Sequence, residues 1–431
     1  MAVLLLGATG LTGSAVAARL ARDGREVVGV ARHVGHETRR VGGVARWIVL
    51  DLRDVRGPED WRPHLSGIDA VVNCAGTLQD SGRDSTVAVH ASGPAALWRA
   101  CGDAGVRRVI HFSAVNVDKG GLTGFSSSKG KGDAALEASG LDWVVLRPSV
   151  VAGRAAYGGS GLFRGLAALP VLPRTPEAGA LDVVQLDDVA ETAARLLRPG
   201  AASRVAIDLA GPERLRFEDV VAAYRRWLGW EPARLVSLPA WIMGAAYRAG
   251  DLIGRLGWRP PIRSTARAEI VRGAMADHRE WTRLTGVEPT SLSAALAAEP
   301  ASVQERWYAR LYFLKPLAIG VFALFWLMTG FVSLGPGYDR AVAIMRSTDA
   351  APLAEISTIA GALTDLVVGC MILWRRTAKL GLIFAFLVSL FYVAAGTLLK
   401  PELWADPLGP MMKIWPILVL NLVCLAVLDE R

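Results

Sequence analysis

The sequence predicts an α/β domain on a doubly wound parallel sheet, with a smaller second portion, followed by an all-α domain of four membrane-spanning helices. Three observations lead there. At the amino terminus an apolar strand runs into a glycine-spaced turn and then an alanine-rich helix; short apolar runs continue to alternate with helical stretches; and residues 301–431 hold four long apolar stretches. With 52% hydrophobic residues and a mean hydropathy of +0.32, the 431-residue chain is too apolar for an ordinary soluble protein.

Val3 to Leu6 reads as a strand buried on both faces, and Ser14 to Leu20 as a helix that can pack tightly against it. Between them, Gly7 permits a tight turn, Gly10 lets a pyrophosphate approach the backbone, and Gly13 lets the helix sit close to the strand. Thr9, Leu11 and Thr12 complete the loop and the first helical turn, whose N–H groups face the anion. An unliganded glycine turn is the plainer alternative, but the strand–turn–helix context is the one a dinucleotide site requires. The next strand, Glu26 to Ala31, ends at Arg32, where a cation suits the 2′-phosphate of NADPH; NADH is the second choice. Arg39 and Arg40 are candidate helpers. A third strand, Ala45 to Leu50, leads into Asp51-Leu52-Arg53-Asp54, and a fourth, Ala70 to Asn73, into Asn73-Cys74-Ala75-Gly76. Both tails fall at carboxyl ends of strands, where ligands bind in open parallel sheets.

With Val109-Ile110-His111-Phe112-Ser113 and Ser128-Lys129, these segments resemble the extended and atypical short-chain dehydrogenase/reductase superfamily. Leu146-Arg147-Pro148-Ser149 and Val184 to Val189 resemble markers at the start of its substrate-binding portion. The resemblance covers residues 1–300, with the substrate-binding portion mostly in 150–300. It implies a Rossmann-type fold whose cofactor is held by Gly7, Thr9, Gly10, Leu11, Thr12, Gly13, Arg32, Asp51, Leu52, Asn73, Ala75, Gly76, Lys129 and Pro148. The nearest branch includes the accessory subunit of respiratory complex I and mitochondrial quinone-biosynthesis proteins.

The superfamily pairs a serine after the fifth strand with Tyr-x-x-x-Lys. Ser113 and Lys129 match, but the tyrosine position is Phe125, whose ring carries no exchangeable proton. Lys119, Lys129 and Lys131 are the only lysines before residue 300 in an arginine-rich chain, which makes a compact ammonium at 129 informative. His90 falls near the expected active site and titrates in a useful range, so it is a candidate acid/base alongside the reading of a hydrogen-bonded structural histidine. Ser113 and Ser127 offer unactivated hydroxyls, Tyr157 belongs to a glycine-rich loop placed to fold over the pocket, and His111 is a weaker candidate.

From Val150 to Glu299, Gly158 to Gly161 and Pro170 to Pro176 read as mobile loops around a substrate pocket, and Arg216 to Leu228 as a helix. Leu238 to Trp258 is aromatic, basic and amphipathic. Two readings stand for it: a helix on a bilayer surface, or a cover for the domain's own core.

Pro300 reads as a break, and Trp307, Tyr308, Arg310 and Tyr312 as an interfacial belt. Spans follow near 314–334, 353–374, 378–399 and 411–428, each close to the length that crosses about 30 Å of hydrocarbon. Arg375, Arg376 and Lys379 place the loop between spans two and three in the cytoplasm, and with it the nucleotide-binding domain. The tail resembles the DoxX-like family of small bacterial membrane domains. Asp365, between Gly361 and Gly369, faces the bundle, with Asn421 a candidate hydrogen-bond partner; a helix-packing pair and a proton or headgroup contact are both open. Glu355 reads as a hydrated interfacial acid.

The net charge of +8 is spread without a basic stripe, which argues against nucleic acid and for an anionic lipid surface. Cys74, Cys101, Cys370 and Cys424 lie far apart in no metal-ligand spacing, so a reduced compartment and no metal are expected. The apolar run after Met1 is too short for a signal-peptide core. The expectation is a multi-pass protein of a bacterial-type inner membrane, with the bilayer, a lipophilic substrate and a membrane protein as candidate partners. Two functions are open: an NADPH-linked oxidoreductase acting on a quinone- or isoprenoid-like substrate, and a non-catalytic nucleotide-binding protein, structural or redox-sensing.

Overall fold

The computed structural model describes residues 1–80, 84–119 and 123–428. Its described strands are β1 (Ala2–Leu6), β2 (Glu26–Ala31), β3 (Arg46–Val49), β4 (Ala70–Asn73), β5 (Arg108–Phe112), β6 (Asp142–Pro148), β7 (Val151–Ala152), β8 (Val171–Pro173), β9 (Val184–Gln185), β10 (Val205–Leu209) and β11 (Arg234–Val236). Seven of them form one sheet in the order β10-β6-β5-β4-β1-β2-β3, every neighbour parallel. Two-stranded pairs of β7 with β9 and β8 with β11 stand apart from it. The strand order reverses between β1 and β4, the switch point at which ligands bind such sheets. The doubly wound expectation holds, and the four strands read from apolar runs are present within a residue or two.

Helices α1 (Leu11–Arg22), α2 (His36–Arg39), α3 (Gly93–Ala104), α4 (Gly124–Glu137), α5 (Gly158–Ala167), α6 (Leu186–Leu196) and α7 (Phe217–Trp227) alternate with the strands, and α8 (Ala240–Arg255), α9 (Ser264–Arg272), α10 (Arg279–Thr285) and α11 (Leu292–Ala298) follow. Because side chains alternate along each strand, the sheet buries two apolar layers. Val3, Leu5, Val72, Ile110 and Leu146 meet α1, α6 and Trp281 on one face; Leu4, Leu6, Val71, Val109 and Val145 meet Trp61, α3 and Leu136 on the other. A separate core around Phe163, Val220, Tyr224 and Leu228 serves the second portion. The loops expected there are partly regular. Gly158 to Gly161 open helix α5, where Tyr157 is the N-cap, and Pro170 to Pro176 contain β8, because Leu162, Phe163 and Leu172 supply enough buried apolar surface to order them.

The chain divides into two compact units: Met1–Asp251 with Pro260–Ala309, and Leu252–Arg259 with the chain from Arg310 on. Helices α12 (Val303–Leu334), α13 (Tyr338–Arg346), α14 (Ala354–Leu373), α15 (Ala378–Leu399) and α16 (Ile414–Ala426) complete the chain. Among the described residues three helical segments are long and apolar enough to cross a membrane: Val303–Leu334, Ala351–Leu373 and Ala378–Leu399. The fourth expected span is corrected. Its helix is 13 residues, about 20 Å at 1.5 Å per residue, because Pro410 to Lys413 form turns before it. Helix α13 was not foreseen. Its Arg346 pairs with Glu355 at 2.6 Å, so Glu355 is an ion-pair partner rather than merely hydrated. Asp365 is buried, and the Tyr392 hydroxyl donates to it at 2.8 Å; Asn421, the partner expected from sequence, donates instead to the Leu382 carbonyl at 3.0 Å.

Trp281 is fully buried against the sheet, with its indole N–H donating to Thr192 at 2.8 Å. Trp281→Ala is expected to lower the stability of the first unit by about 3–5 kcal/mol in chemical denaturation, more than Trp281→Phe. A loss below about 1 kcal/mol would contradict this packing.

Candidate functional site

The site starts from the turn between β1 and α1. Gly7 has a φ of +70°, and the Gly10 N–H closes the turn on the Gly7 carbonyl at 2.8 Å. A Cβ on Gly7 would lie 2.7 Å from the Ala75 nitrogen, and one on Gly13 would lie 2.1 Å from the Gly7 carbonyl oxygen. Only glycine therefore lets α1 close on the end of β1, and lets the turn at Gly7 close on the tail of β4. Gly10 is the N-cap of α1 and offers no side chain, while Leu11 and Thr12 form its first turn. That helix end, with no acidic residue in its first turn, suits an anion.

The tail of β4 is held by its own asparagine. The buried Asn73 side chain accepts from the Ala75 N–H at 3.0 Å and meets His111 Nδ1 at 3.1 Å. Gly76 brings the backbone close to two titratable groups: a Cβ there would lie 3.6 Å from Lys129 Nζ and 3.8 Å from His90 Nε2. Lys129 is buried on α4 and donates to the Phe112 carbonyl at 2.6 Å. Burial lowers its pKa to about 8, against the pull of Asp133 and Cys74. The same burial pushes the Cys74 thiol up.

His90 sits in a π-helical segment, Ala88–Ser92, and is fully buried. Ser128 Oγ donates to the Phe125 carbonyl at 3.0 Å, so its 2.8 Å contact with His90 is a bond donated by Nδ1, and Nε2 accepts from the Thr77 N–H at 3.0 Å. Burial, then Lys129 and His111, lower its pKa to about 2. The acid/base candidacy of His90 is thereby corrected: both nitrogens are occupied and the ring stays neutral, so it holds the Gly76–Thr77 backbone. The Phe125 ring meets it edge-on, centroids 5.5 Å apart.

Ser113 belongs to a different cluster from the one expected. Its hydroxyl donates to Asp133 at 2.9 Å, and the same carboxylate receives Arg147 from two nitrogens at 3.3 Å, with His111 Nε2 at 3.5 Å. Burial would raise the Asp133 pKa, but His111, Ser113 and Arg147 outweigh it and hold the carboxyl below its usual range. With its proton committed to an ionised carboxylate, the Ser113 oxygen is left as an acceptor. Asp133 was missed in the sequence, although it lies one helical turn beyond Lys129; only the fold brings it under β5 and β6. Also missed was the clamp on the start of α4. Glu269 on α9 accepts from Thr123 and, at 3.0 Å, from Ser126, while Arg272 donates to Ser126 at 2.6 Å and to the Asn116 carbonyl.

The remaining predicted residues line the outer end. Arg32 follows β2 and pairs with Asp84 at 3.0 Å. Asp51 is gripped by Arg53 at 2.6 Å; burial alone would raise its pKa, but the Arg53 bonds hold it below the usual range. Leu52 packs beside Gly93, Pro148 closes β6, where its carbonyl accepts from Val115 at 3.2 Å, and Arg39 and Arg40 lie at the end of α2.

Residues 7–198 match the family described as NAD(P)H-binding, and residues 323–422 the DoxX-like family. An uncharacterised protein of Mycobacterium tuberculosis is 29% identical over 226 residues, which cover 52% of this chain and 23% of that protein. The chain thus spans about a quarter of the length of its mycobacterial relatives. The photosystem II assembly factor Ycf39 of Guillardia theta is 24% identical over 247 residues, 56% of this chain and 74% of that one. Among solved structures, a Thermotoga maritima UDP-glucose 4-epimerase with UDP-glucose aligns over 74% of this chain and 100% of its own at 16% identity, TM-score 0.54. MoeE5 in complex with UDP-glucose and NAD aligns over 72% and 99% at 20% identity, TM-score 0.53. At these identities the structures speak for the fold. Cradle, sheet order and family matches agree: residues 7–198 form a Rossmann-type domain that matches the NAD(P)H-binding family, and the apolar helical region behind it matches the DoxX-like family.

Proposed function

We propose that the protein is a membrane-anchored, NADPH-linked oxidoreductase that reduces a lipophilic acceptor of quinone or isoprenoid type, with the nucleotide-binding domain in the cytoplasm. The observation that carries this reading is Lys129. Of the two titratable groups beside Gly76, Lys129 has a pKa near neutrality, about 8, while burial drives that of His90 down to about 2. The glycine cradle, Gly76 and Lys129 would hold the cofactor, and Arg32 would meet its 2′-phosphate. Bound NADPH supplies a hydride. Lys129 holds a proton at Nζ and releases it toward the reduced acceptor, doing what a tyrosine at position 125 would otherwise do. Ser113 receives a hydrogen bond, because Asp133 keeps its own proton engaged. Phe125 and the neutral His90 wall the site without exchanging protons.

The second reading, a non-catalytic nucleotide-binding protein, draws on Phe125 and on the likeness to a relative named as an assembly factor. Turnover separates the two. NADPH absorbance, followed with a panel of quinones and prenyl aldehydes in detergent, is expected to fall with wild type and Ser113→Ala and to hold steady with Lys129→Ala. The protonated lysine is the donor, so the rate should be full below about pH 8 and drop roughly tenfold per unit above it; Lys129→Arg, which does not titrate there, should lose that limb. Tight NADPH binding without turnover on any acceptor would overturn the enzyme reading.

The cofactor preference has its own check. Arg32→Asp is expected to weaken NADPH relative to NADH by about tenfold or more, since a charge-assisted phosphate contact contributes roughly 1.5–3 kcal/mol. An unchanged ratio of dissociation constants would remove Arg32 from the site.

A further inference from the structure

Helix α8 presents its apolar residues outward. Trp241 is 73% exposed and Leu252 60% exposed, while the buried positions are Gly250 and Gly254. At about 100° per residue, Trp241, Ala245 and Leu252 fall within about 40° of one another and form one exposed stripe. Arg248 and Arg255, also exposed, border it on one side, and Ala249 and Ile253 on the other. A core-covering helix would show the reverse, with Trp241 and Leu252 inside.

The rest of the helix is firmly held, so the stripe is not an end left loose. A Cβ on Gly250 would lie 1.7 Å from the Ile262 carbonyl oxygen, and Asp251 accepts from Arg263 at 3.2 Å and from Ser264. Immediately beyond α8, Leu256 to Trp258 are fastened to the turn that ends α14. Trp258 Nε1 donates to the Leu373 carbonyl at 2.7 Å, the Arg375 N–H donates to Leu256 at 3.0 Å, and the Arg375 guanidinium lies 5.4 Å from the Trp258 ring centroid. That turn is where an apolar helix long enough to cross a membrane comes to an end, marked by Arg375 and Arg376.

We propose that α8 lies in the plane of the bilayer surface, with Trp241, Ala245 and Leu252 among the upper acyl chains and Arg248 and Arg255 at anionic headgroups. Two features select lipid over a second copy of the chain: the continuity of α8 with a segment held at the end of an apolar span, and the arginines bordering the stripe, which suit phosphate. The same element reaches the site. α8 is tied through Asp251 to the start of α9, and α9 clamps the start of α4, which bears Phe125 and Lys129. Entry of substrate from the lipid beside α8 rests on the lipophilic substrate proposed above; the docking of α8 does not.

The test uses the full-length chain in vesicles of phosphatidylcholine and phosphatidylglycerol. A nitrobenzoxadiazole label is placed at Ala245→Cys in a Cys370→Ser background, with Val34→Cys, 57% exposed before substitution, as control. The expected result is blue-shifted emission at position 245 and several-fold stronger quenching there by lipids carrying a nitroxide high on the acyl chain, both reduced by Arg248→Glu with Arg255→Glu. Emission and quenching equal to the control would overturn the proposal, as would protection that grows with protein-to-lipid ratio, which assigns the face to a second copy. Gel filtration and circular dichroism matching wild type certify the labelled fold. The readout needs no turnover, so its failure is separate from failure of the substrate reading.

Discussion

Between the Gly7 carbonyl and the first turn of α1 there is no space for a methyl group, and the same is true between Gly7 and the backbone at Cys74 and Ala75. These two approaches set the geometry of the switch point. They bring the amino end of α1, the ends of β1 and β4, and the Gly76 backbone to one place. Helix α4 closes the third side by the same device, since a Cβ on Gly132 would lie 2.1 Å from the His90 carbonyl oxygen. Backbone meets backbone at each contact, so the cradle depends on missing side chains rather than on particular present ones.

The charges are then distributed by α4. Lys129 and Asp133, one turn apart, reach different parts of β5 and β6: the ammonium goes to the Phe112 carbonyl, the carboxylate to Ser113, Arg147 and His111. Each buried charge has a hydrogen-bond partner, as burial requires. Separating them gives two chemically different points. Burial lowers the Lys129 pKa to about 8, while its hydrogen-bond partners hold the Asp133 carboxyl below its usual range, where it accepts from Ser113.

Much of this was legible in the sequence wherever a local pattern determines the structure. The strand–glycine–helix start, the apolar strands and the long spans are set by residues close in the chain, and Ser113, Lys129 and the departure at Phe125 are motif positions. What was hidden depends on long-range pairing. Asp133 looks like a solvated helix residue until β5 and β6 lie over it, and the Glu269–Arg272 clamp joins residues some 150 positions apart. His90 reads as a titratable ring until burial and two hydrogen bonds fix it neutral. In the membrane unit hydropathy located the apolar helices but not their caps: turns shorten α16, and Tyr392 rather than Asn421 reaches Asp365. Outward-facing Trp241 could be distinguished from a core residue only once the partner face of α8 was known.

Every later step needs the nucleotide to sit in the glycine cradle. The most direct measurement is a fluorescence titration of NADPH into the full-length protein in detergent, beside Gly13→Val. Wild type should saturate with an enhanced, blue-shifted nicotinamide signal; the variant should show a loss of about a hundredfold or more in affinity, because its side chain displaces α1 from β1, with helical content unchanged. Equal binding by the two proteins would contradict the account.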